Sequence, residues 1–219
     1  MIYLYAIGDA AEIPPEPDGR GIGGAPLHVL ARDGLAAVLS RHRTLRPEPS
    51  PELLWAHEAV VERLMARATV LPLRFGTVLD GDEALAATLA ERDDELAAGL
   101  ERVRGRVELG VRVLGAPQPS RPPGAQSGRA YLMARRDAHH RAEREAAEVH
   151  APLAAEAHDA RLRAPAPPPA ILAAAYLVDR GAVGAFRARV GALAAARSDV
   201  EIACTGPWPP YSFVPEGRQ

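Results

Sequence analysis

Between Arg106 and Gly206 the hydrophobic period of the chain switches in a fixed order, and that order restricts the fold more than any other feature. "RVELGVRVLG" (Arg106 to Gly115) alternates apolar and polar residues, with Val107, Leu109, Val111 and Val113 on one face, as a half-buried strand does. A long stretch rich in Ala, Arg and Glu follows, "GRAYLMARRDAHHRAEREAAEVHAPLAAEAH", with Ser127 placed to cap it and Pro152 expected to kink or end it. "DARLRAP" and "AILAAAYLVD" read as two strands around a proline turn. Val183, Phe186, Val190 and Leu193 then recur at helical spacing, and "DVEIACTG" reads as a last strand. Strand, helix, strand, strand, helix, strand is the split βαβ order of a ferredoxin-like domain.

The first 105 residues carry a different order. "IYLYAI" (Ile2 to Ile7) is a short aromatic strand opening onto Gly8-Asp9. In "LHVLARDGLAAVLS" two apolar runs flank Asp33-Gly34, a strong hairpin signal. Ser50, Pro51 and Glu52 are the cap, first position and acidic first turn of a helix whose apolar stripe is Leu53, Leu54, Val60, Val61, Leu64 and Met65. "TVLPLRFGTVL" has strand composition, but Pro72 confines it to a bent strand or two short ones, with Gly76 easing close approach. One or two helical pieces follow, ending at Gly105. The fold expected is α+β in two domains, an N-terminal α+β domain over 1–105 and a ferredoxin-like βαββαβ domain over 106–206. The second contains a Pro/Gly/Ser linker at 116–127 and is followed by a Pro/aromatic-rich tail at 207–219.

A chain of 219 residues with 47% hydrophobic residues buries a sizeable core, and a net charge of −2 gives no general attraction to nucleic acid or acidic membranes. Every basic side chain is Arg, whose planar guanidinium suits carboxylate and aromatic partners. The single cysteine, Cys204, forms no internal disulfide and suits a reducing cytosol. No apolar run approaches the roughly 20 residues needed to span a bilayer, and no signal peptide opens the chain. The expectation is a soluble, cytoplasmic protein.

Familiar chemical motifs fail on inspection. "GRGIGG" fits G-x-G-x-x-G in letters, but Pro26 and a strand follow where a phosphate-binding helix must start, so it reads as a flexible loop. "HEAVV" at His57 lacks the second histidine of a zinc helix, leaving His57 as a surface or partly buried residue beside a solvated Glu58 and Arg63. His139, His140, Glu143, His150 and His158 scatter around a helix, and "GAQSG" puts Gln126 where a nucleophile elbow needs Ser. Cys204 reads as a small core residue. The sequence therefore points to no catalytic, cofactor-binding or metal-binding residues. Its rival reading, a small-ligand or enzymatic site, would have to draw on His57, Glu58 and Arg74.

Two stretches remain unusual. "TGPWPPYSFV" (Thr205 to Val214) joins Pro207, Pro209 and Pro210, which force an extended path, to Trp208, Tyr211 and Phe213, each offering about 150–250 Å² of surface. "TVLPLRFGTVL" is the other. Together with "IYLYAI", "ELGVRV", "AYLVDR" and "GRAYLMARRDAHHR", these stretches resemble the GvpL/GvpF family of gas vesicle proteins over nearly the whole chain. The resemblance implies a two-domain protein with a ferredoxin-like C-terminal half. It also implies an accessory role in forming gas-filled, protein-walled compartments, contact with the small hydrophobic wall subunit GvpA or other accessory proteins, and in some cases residence on the vesicle as a minor component. A purely structural shell component is the alternative. Leu71, Pro72, Arg74 and Phe75 of the bend, and Trp208, Pro209, Tyr211 and Phe213 of the tail, are the candidate protein contacts.

Overall fold

The computed structural model describes residues 1–44, 48–115, 128–163 and 169–215. Helices and two antiparallel sheets are distributed over two compact units, Met1–Arg106 with Trp208–Gln219, and Val107–Pro207.

In the first unit β1 (Ile2–Asp9) lies between β3 (Leu35–Arg41) on one side and β4 (Val70–Pro72) and β5 (Val78–Leu79) on the other, and with β2 (Leu27–Arg32) the sheet is ordered β2-β3-β1-β4. Strands β2 (Leu27–Arg32) and β3 (Leu35–Arg41) form the expected hairpin. Its turn residues Asp33 and Gly34 have φ of 49° and 87°, the left-handed pair that matches strand twist. Register along β1 shifts between Leu4 and Ala6, a bulge at Tyr5, and both Tyr5 and Ala6 join the core together with Val60, Val61 and Leu64. Helix α1 (Pro51–Met65) starts where Ser50 accepts a hydrogen bond from the Leu53 N–H at 3.3 Å. Leu54, placed in the apolar stripe by its spacing, is 41% exposed instead. The interrupted stretch is two strands, β4 (Val70–Pro72) and β5 (Val78–Leu79), both paired to β1. Helices α2 (Asp82–Glu91) and α3 (Asp93–Val103) complete the unit, and Gly105 follows with φ 68°.

In the second unit β6 (Arg106–Gly115), α4 (Gly128–Glu156), β7 (Asp159–Leu162), β8 (Ala170–Asp179), α5 (Val183–Ala196) and β9 (Val200–Trp208) follow in the expected order. The sheet runs β7-β8-β6-β9. Leu109, Val111 and Val113 pack with Tyr176 and Val178 against Val149, Leu153, Phe186 and Val190 of the two helices. Pro152 does not end α4, which continues to Glu156. Leu153 is fully buried, and this packing offsets the backbone bond that the proline removes. Glu108, 3% exposed, is a charge the strand pattern hides; Arg163 reaches it at 3.2 Å. The linker 116–127 and the Ser127 cap lie outside the described residues.

The glycine-rich loop is a pinned turn rather than a flexible one. Arg20 bridges to Pro26, the Gly21 N–H donates to the Ala25 carbonyl at 2.8 Å, and Ile22 is 1% exposed. The Ile22 N–H donates to the Tyr5 hydroxyl at 2.8 Å. A Cβ on Gly21 would sit 2.1 Å from that hydroxyl. Gly21→Ala is expected to destabilise the protein by about 1–3 kcal/mol, as overpacking does. Gly184→Ala, in α5 with open space around it, is expected to be neutral or stabilising. Urea denaturation midpoints compare the two; equal midpoints would contradict the clash.

Candidate functional site

Pro72 pairs with Ala6 and Val78 with Tyr3, so the chain between them is longer than the β1 segment it spans and has to loop out. The loop closes as a turn: the Thr77 N–H and hydroxyl both donate to the Arg74 carbonyl, at 3.2 and 2.7 Å, and Gly76 takes the positive φ of 87° that the turn requires. At its two ends the Leu73 N–H donates to the Tyr5 carbonyl and the Leu4 N–H to the Thr77 carbonyl, at 2.9 and 3.0 Å.

Two buried side chains hold the loop from beneath. His57 on α1 is 1% exposed. Its Nε2 lies 3.0 Å from the Leu73 carbonyl and its Nδ1 2.9 Å from the Tyr3 hydroxyl, which in turn accepts from the Gly76 N–H at 3.1 Å. Phe75 folds inward, its ring meeting Tyr3 and His57 edge-on with centroids 6.1 and 6.0 Å apart. Arg74 is left facing solvent. Burial pushes the Tyr3 phenol up to about 12 and the His57 imidazole below its ordinary value.

The terminal segment binds the same unit. Pro209, Pro210 and Phe213 are buried, and Tyr211 packs on the core that contains Tyr3 and Tyr5. In place of a fully extended path, Tyr211–Phe213 makes a tight turn in which the Tyr211 and Phe213 N–H groups donate to the Pro209 and Pro210 carbonyls, at 2.8 and 3.0 Å. The Tyr211 hydroxyl donates to Glu58 at 2.9 Å. Glu58 is therefore not on a merely solvated face. Burial raises its carboxyl, and the Tyr211 bond works in the opposite direction. Pro215 rests where Gly99 of α3 has no side chain; a Cβ there would meet it at 3.0 Å. Trp208 stays 46% exposed.

Of the candidate contacts, Leu71, Pro72, Pro209 and Phe213 are thus buried, Phe75 and Tyr211 are half-buried, and Arg74 and Trp208 reach solvent. Helix α1 carries an exposed ring that the candidate set leaves out. Trp55 is 74% exposed and Leu54 lies beside it, one turn before Glu58 on the helix face that Tyr211 reaches. The signal was available, since Trp55 falls outside the buried stripe of α1. The polar set His57, Glu58 and Arg74 offers no free imidazole, because both ring nitrogens of His57 are engaged within the fold. Among the described residues no three His, Cys, Asp or Glu side chains are grouped to hold a metal, and no helix is long and apolar enough to cross a membrane.

The family described as gas vesicle synthesis protein GvpL/GvpF matches residues 1–215. The chain belongs to the GvpL/GvpF family. It is 33% identical to gas vesicle protein L of a Streptomyces species, over 97% of this chain and 92% of that one. It is 30% identical to gas vesicle protein F2 of Halobacterium salinarum, over 97% and 91%. In fold it matches the crystal structure of GvpF from an Anabaena species, with a TM-score of 0.84 at 20% identity over 99% of this chain and 97% of that one. GvpF from Microcystis aeruginosa matches with a TM-score of 0.80 at 22% identity, over 98% and 99%. As a GvpL/GvpF protein the chain takes part in gas vesicle formation.

The Tyr211–Glu58 bond joins the terminal segment of this GvpL/GvpF protein to α1, and its strength depends on pH. Glu58 is held above its ordinary value, so its desolvation penalty is absent below the unfolded carboxyl range and develops as pH rises through it. The bond matters most when the carboxylate is charged. Tyr211→Phe is expected to cost about 1–2 kcal/mol at neutral pH and less near pH ~4. Urea unfolding at the two pH values checks this, and an equal loss at both would contradict it.

Proposed function

We propose that this GvpL/GvpF protein is a non-enzymatic assembly factor that binds the small hydrophobic wall subunit, GvpA, and assists its ordered growth into the vesicle wall. Family membership across residues 1–215 is the observation that carries this reading. The physical need is plain. A hydrophobic wall subunit awaiting assembly exposes strand edges and apolar surface, both of which invite aggregation, and a partner that covers them transiently favours ordered growth. The reading also puts the protein in the cytoplasm and at the growing vesicle.

The contact proposed is the solvent side of the bend and of the terminal segment. Arg74 and Trp208 supply the exposed groups, and Leu54 and Trp55 of α1 extend them as large apolar side chains open to solvent. Phe75 and Tyr211 lie half-buried at the edge, while Leu71, Pro72, Pro209 and Phe213 serve as the packed base. We assign the domains as 1–105 and 106–206, with the tail from 207 on. The second is read as ferredoxin-like, which its strand order β7-β8-β6-β9 and its βαββαβ sequence support.

Trp208→Ala and Trp55→Ala are each expected to weaken binding of purified protein to the wall subunit by about tenfold or more, as for exposed aromatic anchors, with the thermal midpoint unchanged. Phe75→Ala is expected to lower the midpoint as well. Unchanged affinity in both tryptophan variants would exclude this surface. Absence of binding to free subunit, with the protein found only on intact vesicles, would favour the structural-shell alternative.

A further inference from the structure

We propose that the Leu73–Gly76 bend is a proton-operated latch: neutral His57, acting with Tyr3, holds both ends of the bend, and protonation of His57 lets it open while the sheet stays intact.

The direction of every bond in this chain is determined. A carbonyl only accepts, so the Nε2 facing Leu73 at 3.0 Å carries the hydrogen. In the neutral ring Nδ1 is then bare and accepts from the Tyr3 O–H at 2.9 Å. The Tyr3 oxygen is left free to accept from the Gly76 N–H at 3.1 Å. One imidazole and one phenol therefore satisfy the carbonyl at the start of the bend and the N–H at its far end. A proton added at Nδ1 would point a second donor at the Tyr3 oxygen. The Tyr3 O–H would have to swing away from its acceptor inside a buried site, at the cost of an unpaired hydroxyl.

The rings packed on His57 carry no charge to compensate the new one. The Tyr5 ring stacks on His57 at 5.5 Å and 27°, and Phe75 meets it edge-on. From β1 the titratable groups near the ring are the phenols of Tyr3 and Tyr5; β4 contributes none, and the turn Ile22–Gly24 contributes none. Tyr211 of the terminal segment is committed to Glu58. On α1 itself, Glu58 is the neighbouring carboxylate, whose charge acts on the Tyr3 phenol and is shared with the Tyr211 hydroxyl; Glu62 and Arg63 are exposed, as is Arg74 on the bend, a like charge that offers no relief. Burial lowers the His57 value more than the Leu73 bond raises it. The folded protein accordingly takes up this proton later than the unfolded chain. The stabilising arrangement is complete above the ordinary histidine value of about 6.5 and is lost as pH falls below it.

The test is amide hydrogen exchange on the full-length protein at about pH 7.5 and about pH 5.5, corrected for intrinsic rates. Protection at Gly76 is expected to fall about tenfold or more at the lower pH, while amides of the β1–β3 ladder keep theirs. His57→Gln, whose amide still donates to Leu73 but does not titrate, is expected to abolish the pH effect. Tyr3→Phe is expected to remove Gly76 protection at both pH values. Unchanged Gly76 protection in the native protein, the same fall in His57→Gln, or loss in step with the β1–β3 ladder would each overturn the latch. Should His57→Gln fail to fold, the imidazole nitrogen shifts of the native protein decide. A His57 midpoint matching that of Gly76 exchange supports the latch, and a different midpoint overturns it.

Discussion

Two phenol hydroxyls, buried two residues apart on one strand, impose much of the organisation of the first unit. Tyr3 and Tyr5 are fully buried. Each net hydrogen bond is worth about 1 kcal/mol, but leaving such a hydroxyl unpaired costs about 1–3 kcal/mol, so the fold has to bring partners to them. The partners come from far along the chain. Tyr3 reaches His57 and the Gly76 backbone; Tyr5 reaches Ser40 at 2.8 Å and the Ile22 N–H, and Ser40 continues to His42 at 2.8 Å. The hairpin, the glycine loop, α1 and the bend are thereby all fixed to β1 by two side chains. Among the described residues no buried side-chain nitrogen or oxygen is left without a partner.

What the sequence made legible is what local chemistry decides. Asp33-Gly34 needs left-handed backbone, Ser50 needs an orphan N–H, and Pro72 has no N–H for a continuous ladder; each element formed where those needs placed it. The element order of the second unit followed from period alone. What stayed hidden depends on partners distant in sequence. His57 looked like a surface or partly buried residue because its neighbours on α1 say nothing of Tyr3 and Leu73. Glu58 looked solvated because Tyr211 lies 153 residues away. Pro152 looked like a kink or an end, and the helix runs past it because Leu153 packs into the core, which propensity says nothing about.

The candidate contact residues divide along the same line. Sequence composition singled out aromatic and proline residues together, but the fold gives them different work. Phe213, Pro209 and Pro210 are interior, and Tyr211 is tied by its hydroxyl. The terminal set of candidate contacts is a packed base with a single ring, Trp208, left exposed beyond it. The bend repeats the arrangement, with Leu71, Pro72 and Phe75 turned inward beneath an exposed Arg74.

Such an arrangement has an energetic consequence for any partner. An exposed ring on a free tail loses backbone and side-chain freedom when covered, about 1–2 kcal/mol for each backbone residue fixed, and that loss opposes binding. Trp208 stands instead directly before two prolines with fixed φ and a turn anchored at Tyr211 and Phe213. Most of its backbone freedom is already lost in the folded protein. The hydrophobic gain from covering the indole is then offset mainly by its own rotamer freedom. For a partner that covers Trp208, the buried half of the motif would contribute to affinity without being touched, because it fixes the geometry of the exposed ring.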